Sequence, residues 1–159
     1  MKFVSEEVID AIIDELDAIS DDQYEERMEA FAKAQPVIIA YLFDEENLHL
    51  LTEDERGFLQ YLILIAWASI ERVNGPGEPV SEDQIGEAEE KNYAILEAST
   101  AKTFRDRVDP FFEGYTQEDL LAFIEEALLE DEGDPEALLT KEGREPLFVA
   151  AKSLIDTLI

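Results

Sequence analysis

The most apolar stretch of the chain runs from Gly57 to Val73 and reads GFLQYLILIAWASIERV. At helical spacing its apolar side chains point in nearly every direction, as in a helix that is buried in a bundle or that spans a membrane. A membrane span needs roughly 20 largely apolar residues, and polar side chains and flanking charges interrupt this shorter run. We therefore predict a buried central helix over residues 52–74, where Thr52 and Glu55 have the spacing of a capping box at its start.

Amphipathic patterns on both sides of this stretch predict further helices. The first helix is expected from Ser5 to about Ile19, and a second begins after the break at Ser20–Asp22. A third covers Val37–Phe43, with a kink or a new start at Pro36, and a fourth runs from Ser81 through Ile95 and as far as Val108. Two more begin after caps at Thr116 and Thr140. No alternating strand pattern of useful length occurs. The predicted fold class is all-α, with one domain over residues 1–159 that forms a bundle of six or seven helices around the central helix.

Two of the predicted helix starts resemble each other. Residues 51–59, LTEDERGFL, and residues 139–147, LTKEGREPL, share the pattern L-T-x-acid-x-R-x-x-L. Ordinary capping preferences explain the threonine and the acid, but an arginine near a helix N-terminus meets an unfavourable dipole. Arg56 and Arg144 could each pair with the acidic segment before their helix. The similarity itself has two interpretations, a weak internal duplication about an approximate two-fold axis or chance agreement between helix starts.

The charge of the chain is unusual, whereas its apolar content is not. Forty acidic residues oppose twelve lysines and arginines, which gives a formal net charge of −28, and 46% of the residues are hydrophobic. Such a content is normal for a globular protein, so the acidity does not imply disorder. A negative field of this size repels nucleic-acid phosphates and anionic lipids and attracts basic surfaces. We expect a basic protein as partner, and neither direct nucleic-acid binding nor membrane binding.

Candidate chemistry is sparse. The chain has no cysteine, which excludes disulfides and thiolate sites. Glu46 and His49 have the Glu-x-x-His spacing of di-iron bundles, but His49 is the only histidine. Asp131–Asp134 resembles the start of a calcium loop, yet Pro135 stands at the fifth position, where an EF-hand needs a ligand. No serine-nucleophile or phosphate-loop motif occurs. We therefore assign no catalytic, cofactor-binding or metal-binding residue.

Four aromatic residues have two possible roles. Trp67, Phe111, Phe112 and Tyr115 could line a ligand pocket, but residues at these positions more often fill the core. Acids in the first 16 residues interrupt the apolar run that a signal peptide needs, and we expect a cytoplasmic location.

The function that these observations favour is a non-catalytic protein–protein interaction domain whose acidic surface binds a basic partner. The helix that begins at Ser81 has a thin apolar face, so we expect it at the periphery, with its carboxylates available to the partner. The expected partner-binding residues are Glu82, Asp83, Glu87, Glu89 and Glu90.

Other functions remain open from the sequence. The protein could be a nucleic-acid mimic that inhibits a DNA- or RNA-binding protein, which would require carboxylates spaced like phosphates along one ridge. It could be a small-molecule enzyme, which would require a deep pocket with convergent polar groups. The acidity could also only solvate the protein or adapt it to salt, although lysine and large apolar residues are both present.

Overall fold

The structure, a computed structural model, describes residues 1–130, 134 and 136–159. These residues form eight α-helices and one 3₁₀-helix, and they include no strand. The helices are α1 (Glu6–Ala18), α2 (Asp21–Ala34), α3 (Pro36–Leu42), α4 (Glu53–Asn74), α5 (Glu82–Ala98), α6 (Phe104–Val108), the 3₁₀-helix (Asp109–Phe112), α7 (Glu118–Leu129) and α8 (Lys141–Leu158). The predicted all-α fold class is confirmed, and buried residues from α1 to α8 join in one hydrophobic core.

The central position of α4 is also confirmed. Residues 62–66 are all buried, and the helix contacts α1, α2, α3 and α8. The Thr52 side chain accepts a hydrogen bond from the Glu55 backbone N–H, and Gly75, with φ of 79°, ends the helix. The helix shares this central role with α8, in which residues 147–155 are buried without interruption. No helix of the described residues is both long and apolar enough to cross a bilayer.

The starts of α4 and α8 lie side by side and share one carboxylate. Glu55 is fully buried, with 0% of its surface exposed. Its Oε1 accepts a hydrogen bond from the backbone N–H of Thr52 at 2.9 Å, and its Oε2 accepts from the backbone N–H of Thr140 at 2.9 Å and from the Thr140 hydroxyl at 3.1 Å. A Cβ added at Gly143 would overlap the Glu55 carboxylate. Glu55 therefore caps its own helix and a second one, and glycine at 143 leaves the space that it needs.

The two arginines of the repeated pattern have different partners. Arg56 donates to the carbonyl oxygen of Leu51 at 3.0 Å and lies 3.9 Å from Glu45, so its predicted pairing with the preceding acidic segment is confirmed. Arg144 donates from Nε to the carbonyl oxygen of Leu128, near the end of α7, at 2.7 Å. In and beside the acidic segment before α8, residues 131–133 and 135 of the calcium-loop-like sequence lie outside the described residues. The internal duplication stays a prediction.

The helix predicted from Ser81 as far as Val108 ends earlier, at Ala98. Arg107 stabilises the break, because its guanidinium donates to the carbonyl oxygens of Leu96, Ser99 and Ala101 at and after the end of α5. Thr103 then caps α6. The predicted helix is thus two helices, which raises the number from the expected six or seven to eight.

The predicted cap at Thr116 is wrong. Gln117 occupies the N-cap position of α7, and its side chain makes no capping hydrogen bond. Instead its Oε1 accepts from the backbone N–H of Val4 at 2.9 Å, and its Nε2 donates to the carbonyl oxygen of Lys2 at 3.1 Å. The side chain holds the extended N-terminal segment against the bundle, a long-range role that the local pattern does not reveal.

Candidate functional site

The five acidic residues predicted to bind a partner all lie on α5. Four of them are exposed, and Glu89 is half-buried. The buried residues of α5 are Ile85, Asn92 and Leu96, and the helix makes its most extensive contact with α8. The thin apolar face is therefore sufficient to hold α5 on the bundle while its acidic face stays in solvent.

Gln35 fixes the position of α5 beside α3. This residue, between α2 and α3, is 2% exposed. Its Nε2 donates to the carbonyl oxygen of Glu78 at 3.0 Å, and its Oε1 accepts from the backbone N–H of Val80 at 2.9 Å. The segment that leads into α5 is thus tied to the start of α3. Sequence reasoning missed Gln35, because an isolated glutamine before a proline carries no signal of a partner more than 40 residues away.

A groove of about 400 Å³ lies between α3, the turn after it, and α5. We call it the acidic groove and define it by Tyr41, Asp44, Glu82, Gly86 and Glu89. No lysine or arginine is among the described residues that line it. Asp44, Glu82 and Glu89 also form no ion pair with any described residue. The groove therefore collects three carboxylates without a neutralising cation from the described chain.

Helical spacing places the α5 residues of the groove on one face. Glu82, Gly86 and Glu89 follow each other at intervals of four and three residues, which are neighbours on a helix surface. A Cβ added at Gly86 would have no atom within 4 Å. No packing contact therefore requires glycine here, although glycine inside a helix costs about 1 kcal/mol relative to alanine. The missing side chain leaves the groove open between the two glutamates.

The turn after α3 holds the third carboxylate in place. Asp44 accepts a hydrogen bond at Oδ1 from the backbone N–H of Glu46 at 2.9 Å, and at Oδ2 from the Asn47 side chain at 3.2 Å. Its orientation is thus set by local contacts before any ligand arrives.

Burial changes the proton affinity of two groups in the groove. Burial raises the pKa of Glu89 above its usual range, because a half-buried carboxylate without a cation loses hydration when it is charged. Burial also raises the pKa of Tyr41, which is 7% exposed, and the adjacent Glu89 carboxylate raises it further. Both shifts mean that the charged forms of these two groups are disfavoured in the groove.

Glu87 faces a different cleft, of about 600 Å³, between α5, residues 110–115 and α8. Lys152 of α8, 5% exposed, donates from Nζ to Asn92 Oδ1 at 3.0 Å and to both carboxylate oxygens of Asp156 at 3.2 and 2.9 Å. Asn92 donates to Ser153 and to Asp156, and Tyr115 donates to Asp156 Oδ1 at 2.6 Å. We call these five residues the lysine cluster.

The lysine cluster satisfies its own polar groups. The ammonium group uses its donors on cluster members, and both oxygens of Asp156 accept from at least two donors. Burial, with the Asp156 carboxylate, also raises the pKa of Tyr115. The direct effect of this closed arrangement is to fix α8 against α5 and residues 110–115. Sequence reasoning missed it, although Lys152 at an inward position of an apolar helix, four residues before Asp156, was a usable signal.

The aromatic residues divide between core and cleft. Trp67 stacks on Phe31 with ring centroids 4.8 Å apart, and Phe111 meets Phe148 edge to face at 5.1 Å. The core-filling prediction is confirmed for Phe111, which is 3% exposed. Phe111 and Tyr115 also line the cleft above the lysine cluster, so filling the core and lining a pocket are not exclusive here.

The Glu-x-x-His pair lies on an exposed turn. His49 is exposed, and its Nδ1 is 3.1 Å from the carbonyl oxygen of Glu46, a backbone contact rather than a carboxylate contact. Among the described residues no three histidine, aspartate or glutamate side chains gather in a metal-binding arrangement.

Comparisons of the chain with protein-family models, curated proteins and solved structures found no match.

Proposed function

We propose that the protein is a non-catalytic interaction domain and that the acidic face of α5 binds a basic partner protein. The observation that supports this most is the acidic groove, which carboxylates of α5 and of the turn after α3 line without a lysine or arginine among the described residues. Steering by such a surface speeds the encounter of two proteins more than it adds affinity. The proposal includes a cytoplasmic location. It excludes direct binding to nucleic acids or anionic membranes, since a net charge of −28 repels phosphates.

The distribution of the other carboxylates favours this proposal over nucleic-acid mimicry. Exposed acids also lie on α1, α2 and α7. A mimic needs one ridge of carboxylates at phosphate spacing, whereas here the exposed acids are spread over several helices. A small-molecule enzyme would use the cleft above the lysine cluster, but the polar groups of that cluster are already occupied by one another.

Affinity capture from the native host with two matched variants tests the proposal. One variant neutralises exposed acids at the first, second, sixth and ninth positions of α5, and the other neutralises the same four positions of α2. The substitutions are E82Q, D83N, E87Q and E90Q in α5, and D21N, D22N, E26Q and E29Q in α2.

We expect the wild-type protein and the α2 variant to enrich the same basic protein. After purification of that protein, the α5 variant should bind it about tenfold more weakly, mostly through slower association. Equal loss in both variants would mean that only the overall field matters, and it would refute a site on α5. Enrichment of no basic protein would refute the proposed function as a whole.

A further inference from the structure

We propose that residues 1–5 form a detachable strap and that the groove beneath it binds the strap of a second copy of the chain. This inference is independent of the acidic face of α5. It goes beyond the proposed function, because it concerns contacts between copies of this chain rather than contacts with a basic partner.

The strap groove, defined by Asn74 at the end of α4 and Gln117 at the start of α7, holds the strap through its backbone. The Asn74 side chain accepts from the backbone N–H of Lys2 at 2.7 Å and donates to the carbonyl oxygen of Lys2 at 3.3 Å. Gln117 donates to the same carbonyl oxygen and accepts from the backbone N–H of Val4. Main-chain contacts of this kind bind an extended segment, and a pocket for a side chain adds the specificity.

A single buried side chain anchors the strap. Val4 is 0% exposed, whereas Met1 and Phe3 are 65% and 47% exposed although both are large and apolar. Lys2 is exposed as well. The strap groove therefore recognises an extended backbone that carries one valine side chain, and the strap of a second copy has the same sequence.

Few contacts oppose release of the strap from its own groove. Each ordered residue costs conformational entropy, and water can replace the four backbone hydrogen bonds at little net cost. Segments with few buried apolar contacts open locally while the rest of the protein stays folded. The strap ends at Ser5, the N-cap of α1, whose side chain makes no capping hydrogen bond among the described residues, so the chain can turn there without breaking a cap.

A second copy is the natural occupant because the contacts between two chains repeat the contacts within one. Exchange of an identical segment is a low-cost route to a dimer. Its main cost is the loss of tethering, which gives a strap on a short linker an effective concentration of about 1 mM. The net charge of −28 opposes the approach of two copies, so exchange requires salt to screen the repulsion.

The test uses the full chain with Val4→Asp, which unseats its own strap, and the synthetic peptide of residues 1–7 as the probe. Phe3→Asp is the matched control, since it adds the same charge at an exposed neighbour on the strap. By NMR we expect the peptide to shift the side-chain amide signals of Asn74 and Gln117 in Val4→Asp, with a dissociation constant of about 0.1 mM, below the effective concentration of a tethered strap. Phe3→Asp should bind the peptide about tenfold more weakly, because its own strap competes.

Two measurements on the wild-type protein complete the test. The backbone amide of Val4 should exchange its hydrogen about a hundredfold faster than that of Ile65 in the buried part of α4, as expected for local opening. Sedimentation equilibrium at about 1 mM chain should show a dimer fraction that grows with NaCl and that is absent from Val4→Asp.

Several results would overturn the inference. Loss of helical circular dichroism in Val4→Asp but not in Phe3→Asp would make the strap part of the cooperative core, as would equal exchange rates of the Val4 and Ile65 amides. Equal peptide binding by the two variants, or no binding by a folded Val4→Asp, would mean that the strap groove does not accept a separate chain. A wild-type protein that stays monomeric at high concentration and high salt would exclude exchange between copies.

Discussion

Glu55 is a buried carboxyl group whose hydrogen-bond donors come from the starts of two helices. Three hydrogen bonds reach its two oxygens, and they come from Thr52 and Thr140, the N-cap residues of α4 and α8. The N-terminus of a helix carries a partial positive charge, so two helix dipoles point at one carboxylate. The sequence predicted the bond within α4 through the Thr-x-x-Glu spacing. It did not predict the bond to Thr140, because only the tertiary fold brings the two threonines together.

The shared cap makes Gly143→Ala destabilising. Alanine normally stabilises a helix relative to glycine by about 1 kcal/mol. At position 143 the added Cβ would overlap the Glu55 carboxylate, and such overpacking costs about 1 to 3 kcal/mol. We therefore expect a lower free energy of unfolding, measured by urea denaturation. Gly57→Ala, at an open position of α4, should instead raise it; equal gains in both variants would contradict the shared cap.

At the scale of the helix, starts were more predictable than ends. The capping boxes at Ser81 and Thr52 and the cap at Thr140 are local patterns, and all three hold in the structure. The end of α5 depends on Arg107, which reaches back to carbonyl oxygens as far as 11 residues away. Gln117 similarly serves a segment at the other end of the chain. Local patterns therefore predicted three helix starts correctly, whereas the long-range contacts of Arg107 and Gln117 were not visible in the sequence around them.

The candidate site shows the same division. The exposed acids of α5 were predicted individually, since a thin apolar face leaves most of a helix in solvent. The groove was not predicted, because it requires α3 and the Asp44 turn to lie beside α5. The Gln35 side chain holds the segment before α5 next to α3 through two hydrogen bonds to its backbone. The sequence around Gln35 gives no indication of these two bonds.

The contact between α5 and α8 contains the ion pair of Lys152, which is buried, and Asp156, which is partly exposed, and breaking it should be costly. Lys152→Met leaves Asp156 and Asn92 without their cationic partner; loss of one member costs about 3 to 5 kcal/mol where both are buried, and we expect a smaller loss here because Asp156 keeps some solvent and the donors Tyr115 and Asn92. We expect Lys152→Met/Asp156→Asn to be more stable than Lys152→Met alone, because the uncompensated charge is gone while Tyr115 keeps an acceptor. Urea denaturation measures both. Lys91→Met, an exposed control on α5, should change stability by less than about 0.5 kcal/mol.

For the molecule as a whole, the dominant property is the excess of negative charge. A net charge of −28 on 159 residues repels itself in the folded state and destabilises the compact form. The described ion pairs offset only a small part of this, since most involve exposed side chains and such pairs contribute little.

This repulsion predicts that the melting temperature rises with salt. The effect should be steepest below about 0.1 M NaCl, where the screening length falls to about 10 Å. The variant with four neutralised acids on α2 should show a smaller rise, because less repulsion remains to be screened. Differential scanning calorimetry measures both series. A melting temperature of the wild-type protein that does not change with salt would contradict the prediction.

The shared cap also means that the two halves of the chain depend on each other for stability. Thr140 and Glu55 are separated by 85 residues, yet the start of α8 is completed by a side chain of α4. A fragment that ends before α8 would keep a buried carboxylate without two of its donors, and a fragment that contains only the second half would begin its last helix with an incomplete cap. If the two similar helix starts descend from one duplicated segment, each copy now depends on groups of the other to complete its hydrogen bonds. Neither copy would then fold as an independent unit.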